Sequence, residues 1–141
     1  MILRRATAAD APACAAIVAR WIDATDWMAD GPSVAELEAL MRDGFPRREA
    51  WVAEAEGRIA GYLSMRAEED HIVGLYADRP GHGTGRALID QVKTGRDRLQ
   101  LNSHAPNTAA HRFYEREGFR VTATDLPGED GVPEIRMEWT R

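Results

Sequence analysis

One stretch constrains the fold more than any other. An apolar run, His71–Ala77 (HIVGLYA), enters a turn with three glycines in five residues, Gly81-His82-Gly83-Thr84-Gly85. The turn opens a segment with Ala87, Leu88, Ile89 and Val92 on one side. A short apolar run bounded by turn residues reads as a buried strand, and the i, i+1, i+2, i+5 recurrence after it as one apolar side of a helix. Strand, glycine turn and helix together require a sheet with a helix packed on it. The same unit carries a chemical option. A helix start exposes unpaired N–H groups at the positive end of a dipole, and glycines let an anion approach them closely. A tight turn with no ligand satisfies the pattern equally well.

The rest of the chain supplies the sheet. Ile2–Arg5 reads as a strand. Thr7 or Asp10 caps a helix that tolerates Pro12 only near its start, with Cys14, Ile17, Val18, Trp21 and Ile22 on one face. Ser33 and Glu36 form a capping box ahead of Val34, Leu37, Leu40 and Met41. Between these helices lies a segment, Asp23–Pro32, holding Asp26, Trp27 and Asp30. Trp51–Ala55 and Ile59–Met65 flank Glu56-Gly57-Arg58 as a β-hairpin. Gly95 ends the helix of the glycine-turn unit, and Leu99 and Leu101 mark another strand. Asn107 caps a helix running to Gly118. Phe119, Val121 and Ala123 alternate with polar residues, as do Ile135, Met137 and Trp139. The predicted order is β-α-α-β-β-β-α-β-α-β-β, an α/β (α+β) mixed sheet flanked by helices.

Composition narrows the function. The 141 residues fit one domain, since domains commonly run to ~100–150 residues. A balance of 44% hydrophobic and 29% charged residues is that of a globular protein. The longest wholly apolar run is Ala13–Ala19, far short of the ~20 residues that span a membrane. Asp10 interrupts the N-terminus before a signal-peptide core forms. Cys14 is the only cysteine, so a cytoplasmic, reducing setting is expected. The net charge of −5 falls wholly on residues 1–70, and residues 71–141 are neutral. Such a chain is a poor general binder of nucleic acid. His104 and His111 stand seven apart with no acidic partner at metal spacing, so no metal is expected.

Two familiar phosphate loops fail on the residues. A Walker A loop ends in Gly-Lys-Ser/Thr, whereas Arg86 and Ala87 follow Gly85. A dinucleotide fingerprint needs Gly-x-Gly-x-x-Gly, and the last position is Arg86 or Leu88. A third pattern fits. LYADRPGHGTGRALID, followed by NTAAHRFYEREGF, resembles the GCN5-related N-acetyltransferase family. There a Gln/Arg-x-x-Gly-x-Gly/Ala loop binds the pyrophosphate of acetyl-CoA, and an Asn-(x)5-Phe-Tyr run is a second hallmark. Gly83 and Gly85 take the small positions, and Asn107 to Phe119 the second run. The element order and the VAEAEGRIAGYLSM hairpin extend the resemblance over nearly the whole chain. The departure is Pro80 at the Gln/Arg position, in a shortened turn. Proline has no N–H, so one donor to the pyrophosphate is lost, with Arg79, His82 and Thr84 as replacements.

The resemblance implies a mostly antiparallel, twisted sheet of six to seven strands with about four helices, in a single N-acetyltransferase domain over residues 1–141. It implies acetyl-CoA as co-substrate, held by His82, Gly83, Thr84, Gly85, Arg86, Asn107 and Tyr114, with the backbone around Leu75 and Ala77 along its pantetheine arm. Direct attack by an amine needs a base for the ammonium and a proton donor for the leaving thiolate. The family positions fall on His71 for the base and Tyr114 for the donor. The acceptor wall falls on the segment between the first two helices. Asp26 and Asp30 beside Trp27 suit a primary amine, either a small cationic amine or an amino-acid-like acceptor. Each residue also has a plainer role: Trp21 and Trp27 pack, Asn107 caps, His71 is solvated. The oligomeric state stays open, a homodimer included. Pro80 also suits a different class, a catalytically silent acyl-CoA-binding regulatory domain.

Overall fold

The computed structural model describes residues 1–28 and 31–141. Its strands are β1 (Ile2–Arg5), β2 (Glu49–Ala55), β3 (Arg58–Arg66), β4 (His71–Ala77), β5 (Arg98–His104), β6 (Arg120–Leu126) and β7 (Glu134–Thr140). Its helices are α1 (Ala11–Asp23), α2 (Val34–Gly44), α3 (Thr84–Lys93) and α4 (Thr108–Arg116). The strands form one sheet in the order β1-β2-β3-β4-β5-β7-β6. Every neighbouring pair is antiparallel except β4 and β5, which run parallel.

Alternation along the central strands divides the core in two. Ala53 and Leu63 join Leu88, Ile89, Val92, Leu101 and Met137 under α3 and α4. Their neighbours Val52 and Tyr62 face the other way, onto Cys14, Val18, Leu37 and Met41 of α1 and α2. Local signals set the helix ends. Ser33 Oγ accepts the Glu36 N–H while the Glu36 carboxylate accepts the Ser33 N–H. Asn107 Oδ1 accepts the Ala110 N–H at 3.2 Å. Asp10 takes two hydrogen bonds from the Arg4 guanidinium and one from the Thr7 N–H, tying β1 to the start of α1. Among the described residues no helix is long and apolar enough to cross a membrane.

Three expectations need correction. β4 is not a buried strand: only Ile72 is fully buried, because β5 leaves its side after two residue pairs. Val121 is 43% exposed because β6 is an edge strand whose register slips at Val121/Ala123. Asp23 belongs to α1, and Asp26–Met28 forms a 3₁₀ turn rather than open loop.

Candidate active site

β4 and β5 pair only through His71 with Gln100 and Ile72 with Leu101. Beyond those pairs the strands part, and the gap opens into a cavity of about 1170 Å³. Along this edge β4 carries a bulge. Ser64 pairs with Gly74 and Met65 with Ile72, leaving Val73 over. A bulge bends its strand and re-aims the local backbone.

The glycine turn closes one end. Gly83 precedes α3 with φ +78°, a left-handed conformation that side chains with a Cβ resist. No side chain caps the start of α3, and Gly81, Gly83, Thr84, Gly85 and Arg86 border the cavity. A Cβ on Gly83 would meet nothing within 4 Å, so there is open space above the turn. Gly85 works differently: a Cβ there would stand 3.1 Å from the Phe113 ring, so its bare backbone lets α3 and α4 approach. Open space over unpaired N–H groups, with Arg79 and Arg86 alongside, fits an anionic pyrophosphate. Pro80 lines the same rim.

Tyr114 brings the chemistry of α4 to the cavity wall. Its ring packs between Phe113 and Phe119 at centroid distances of 5.2 and 5.5 Å. Burial, then neighbouring Tyr76, pushes its phenol well up, so at neutral pH it keeps a proton to donate. His71 lies at the closed end of the gap. Burial lowers its imidazole below the ordinary value, and Arg66 and Arg136 lower it further.

The wall on the α1 side is aromatic. Trp21 meets Trp27 and Tyr76 edge-on, at 5.6 and 5.4 Å, and stacks over the His104 ring at 6.1 Å. Trp27 also packs against His104, at 5.1 Å. His104 Nε2 lies 2.7 Å from Asp130 Oδ2, and Asp130 Oδ1 accepts the Val132 N–H. Burial works against ionisation of Asp130, yet the bonds from His104 and Val132 outweigh it and hold the carboxyl below its usual range. Glu134 stands close by and accepts a hydrogen bond from Asn102.

His71, Leu75, Ala77, Gly83, Thr84, Gly85, Arg86, Asn107 and Tyr114 thus border one cavity. His82 is exposed and does not line it. Trp27 stands behind Trp21, and exposed Asp26 does not reach the cavity. Asp30 lies outside the described residues. Sequence reasoning missed Trp21, Tyr76, His104 and Asp130. Trp21 carries the helical spacing of a core residue, and 26 positions separate His104 from its carboxylate.

The model of the acetyltransferase (GNAT) domain family matches residues 32–141. The peptidyl-lysine N-acetyltransferase YjaB of Salmonella typhimurium is 30% identical over 132 residues, covering 93% of this chain and 91% of the relative. The solution structure of apo-form YjaB from Escherichia coli superposes with a TM-score of 0.79 at 27% identity, covering 99% of this chain and 98% of that one. The Salmonella typhimurium yncA structure, a putative acetyltransferase with its cofactor acetyl-CoA, shares the fold with a TM-score of 0.73 at 19% identity, over 99% of this chain and 92% of that one. A parted β4–β5 pair, a glycine turn opening α3 and a family match over most of its length place the chain in the GNAT acetyltransferase family.

Proposed function

We propose that residues 1–141 form one N-acetyltransferase domain that moves the acetyl group of acetyl-CoA onto a primary amine, the side chain of a lysine in a peptide. The observation that carries this is the gap between β4 and β5, with Tyr114 on one wall and the uncapped start of α3 at its end. Acetyl-CoA is the co-substrate of the family. The turn Gly83–Arg86 takes its pyrophosphate, and the free edge of β4 from Val73 to Ala77 offers backbone groups to its pantetheine arm. The relatives named peptidyl-lysine N-acetyltransferases support lysine as the acceptor.

The reaction is direct attack in a ternary complex. The acceptor arrives as an ammonium, loses a proton and attacks the thioester carbonyl carbon. The C–S bond then breaks, and the thiolate needs a proton, which the Tyr114 phenol is held ready to give. Two imidazoles border the cavity, His71 and His104. The family resemblance puts the base at His71.

The test is thiol release from acetyl-CoA with a lysine-containing peptide, free lysine and short diamines. Peptide acetylation is the expected result. Turnover of the small amines alone would replace the acceptor with a small cationic amine. Tight CoA binding without turnover would favour a silent acyl-CoA-binding domain.

A further inference from the structure

We propose that His104, positioned by Asp130, is the base that takes the proton from the acceptor ammonium. The assignment rests on the acetyl-transfer reading. His104 ends β5, where the strands have parted, and it borders the same cavity as Tyr114. Trp21 lies over the ring and Trp27 against it, so the imidazole is fixed and its side chain only 19% exposed. The 2.7 Å contact with Asp130 Oδ2 orients it further. A carboxylate on one imidazole nitrogen stabilises the imidazolium that forms when the other takes a proton.

The surroundings favour His104 over His71. The groups facing His104 are Asp130 and Glu134 from the β6–β7 side, His111 of α4 at its backbone oxygen, and the uncharged rings of Trp21 and Trp27. Two carboxylates make a field that attracts an ammonium and accommodates an imidazolium. Aromatic faces beside them suit an alkylammonium. His71 meets one carboxylate, Glu69, but the charges of Arg66 and Arg136 outweigh it and repel both.

His104, Asp130 and Glu134 could also be read as a metal cluster. Two ligands about 2.0–2.1 Å from a tetrahedral zinc stand roughly 3.3 Å apart. The His104–Asp130 separation of 2.7 Å is that of a hydrogen bond.

The proton balance closes. His104 takes one proton from the ammonium and releases it to water. The neutral amine forms the C–N bond and becomes positively charged. As the C–S bond breaks, Tyr114 protonates the sulfur and regains a proton from the attacking nitrogen. The products are the amide, CoA thiol and one proton.

The experiment compares wild type, His104→Ala, His104→Gln and Asp130→Asn with a lysine peptide across pH, with CoA affinity measured on each. Both His104 variants should lose about 10²-fold in kcat at pH 7 while CoA affinity stays within twofold of wild type. Their rising limb should move upward, toward the pKa of the amine itself. Asp130→Asn should lose less and shift the limb to lower pH, because removing a carboxylate makes the imidazole less basic. An acceptor already unprotonated at pH 7 should restore most of the lost rate. A His104→Gln enzyme within threefold of wild type, with an unmoved pH limb, would overturn the assignment and leave acetyl transfer standing. Loss of wild-type activity with a chelator would overturn it in favour of a metal. A wild type that turns over no amine would overturn both readings.

Discussion

At the scale of the residue, Tyr114 shows how packing becomes chemistry. A tyrosine in water carries its phenol near pKa ~10. Here burial raises it, and the residue, packed between two rings, borders the cavity. Tyr114→Phe keeps the packed ring and removes the proton. Losing a general acid typically costs ~10²–10⁴-fold in rate. The variant should therefore lose kcat while binding CoA as wild type does. A loss under threefold, with chemistry rate-limiting, would show that the thiolate takes its proton from water. Trp21 makes a different kind of contribution, through position alone. It touches Trp27, Tyr76 and His104 together, so Trp21→Ala should raise the acceptor KM more than the acetyl-CoA KM.

At the scale of the element, short connections decide what the strands can hold. The turn ahead of β7 delivers Asp130, and Gly128 sets its shape. A Cβ at Gly128 would run into the Val132 carbonyl oxygen and crowd the Asp130 carboxylate. Gly128→Ala should thus displace Asp130 and mimic Asp130→Asn in kcat and pH profile, with CoA affinity preserved. A Gly128→Ala enzyme with wild-type kinetics would show that Asp130 holds His104 without help from the turn. The join of β1 to α1 makes a prediction about stability. Hydrogen bonds from Arg4 lead in holding the Asp10 carboxyl below its usual value, against the cost of burial, with the Thr7 N–H adding to them. A depressed carboxyl contributes stability that is full above its unfolded pKa of ~3.9 and is lost as pH falls through the folded value. Asp10→Asn should cost about 1–2 kcal/mol at neutral pH, since Arg4 stays partly solvated. The gap from wild type in urea midpoints should then narrow by pH 3; a gap that stayed constant would make the effect one of shape rather than charge.

At the scale of the whole molecule, what the sequence disclosed and what it hid have one physical cause. Signals that act within a few residues were legible: the Ser33–Glu36 capping box, the Asn107 cap, the hairpin around Gly57 and the glycine turn before α3 all appear in place. The exposure of β4 was not legible, because HIVGLYA has the composition of a buried strand wherever its neighbour stops. Nor was the His104–Asp130 pair, which exists because β5 pairs with β7, bringing His104 opposite Glu134. No periodicity along the chain reports that pairing. The same long-range geometry makes the sheet two parts, β1–β4 and β5–β7, joined edge to edge by two residue pairs. A ligand lying along the open edge of β4 should therefore stabilise the junction more than either half. At a hundredfold excess over its Kd, acetyl-CoA adds about 2.7 kcal/mol to global stability, which for a chain of this size corresponds to a melting shift of roughly 5–15 °C. Hydrogen exchange should localise the effect. Amides of Val73–Ala77 should slow most, with Asn102–His104 next, while the β1–β2 and β6–β7 pairs change only with global stability. Protection confined to the start of α3 would mean that the molecule holds the pyrophosphate but leaves the gap open. Uniform protection across the sheet would mean that the two halves already behave as one.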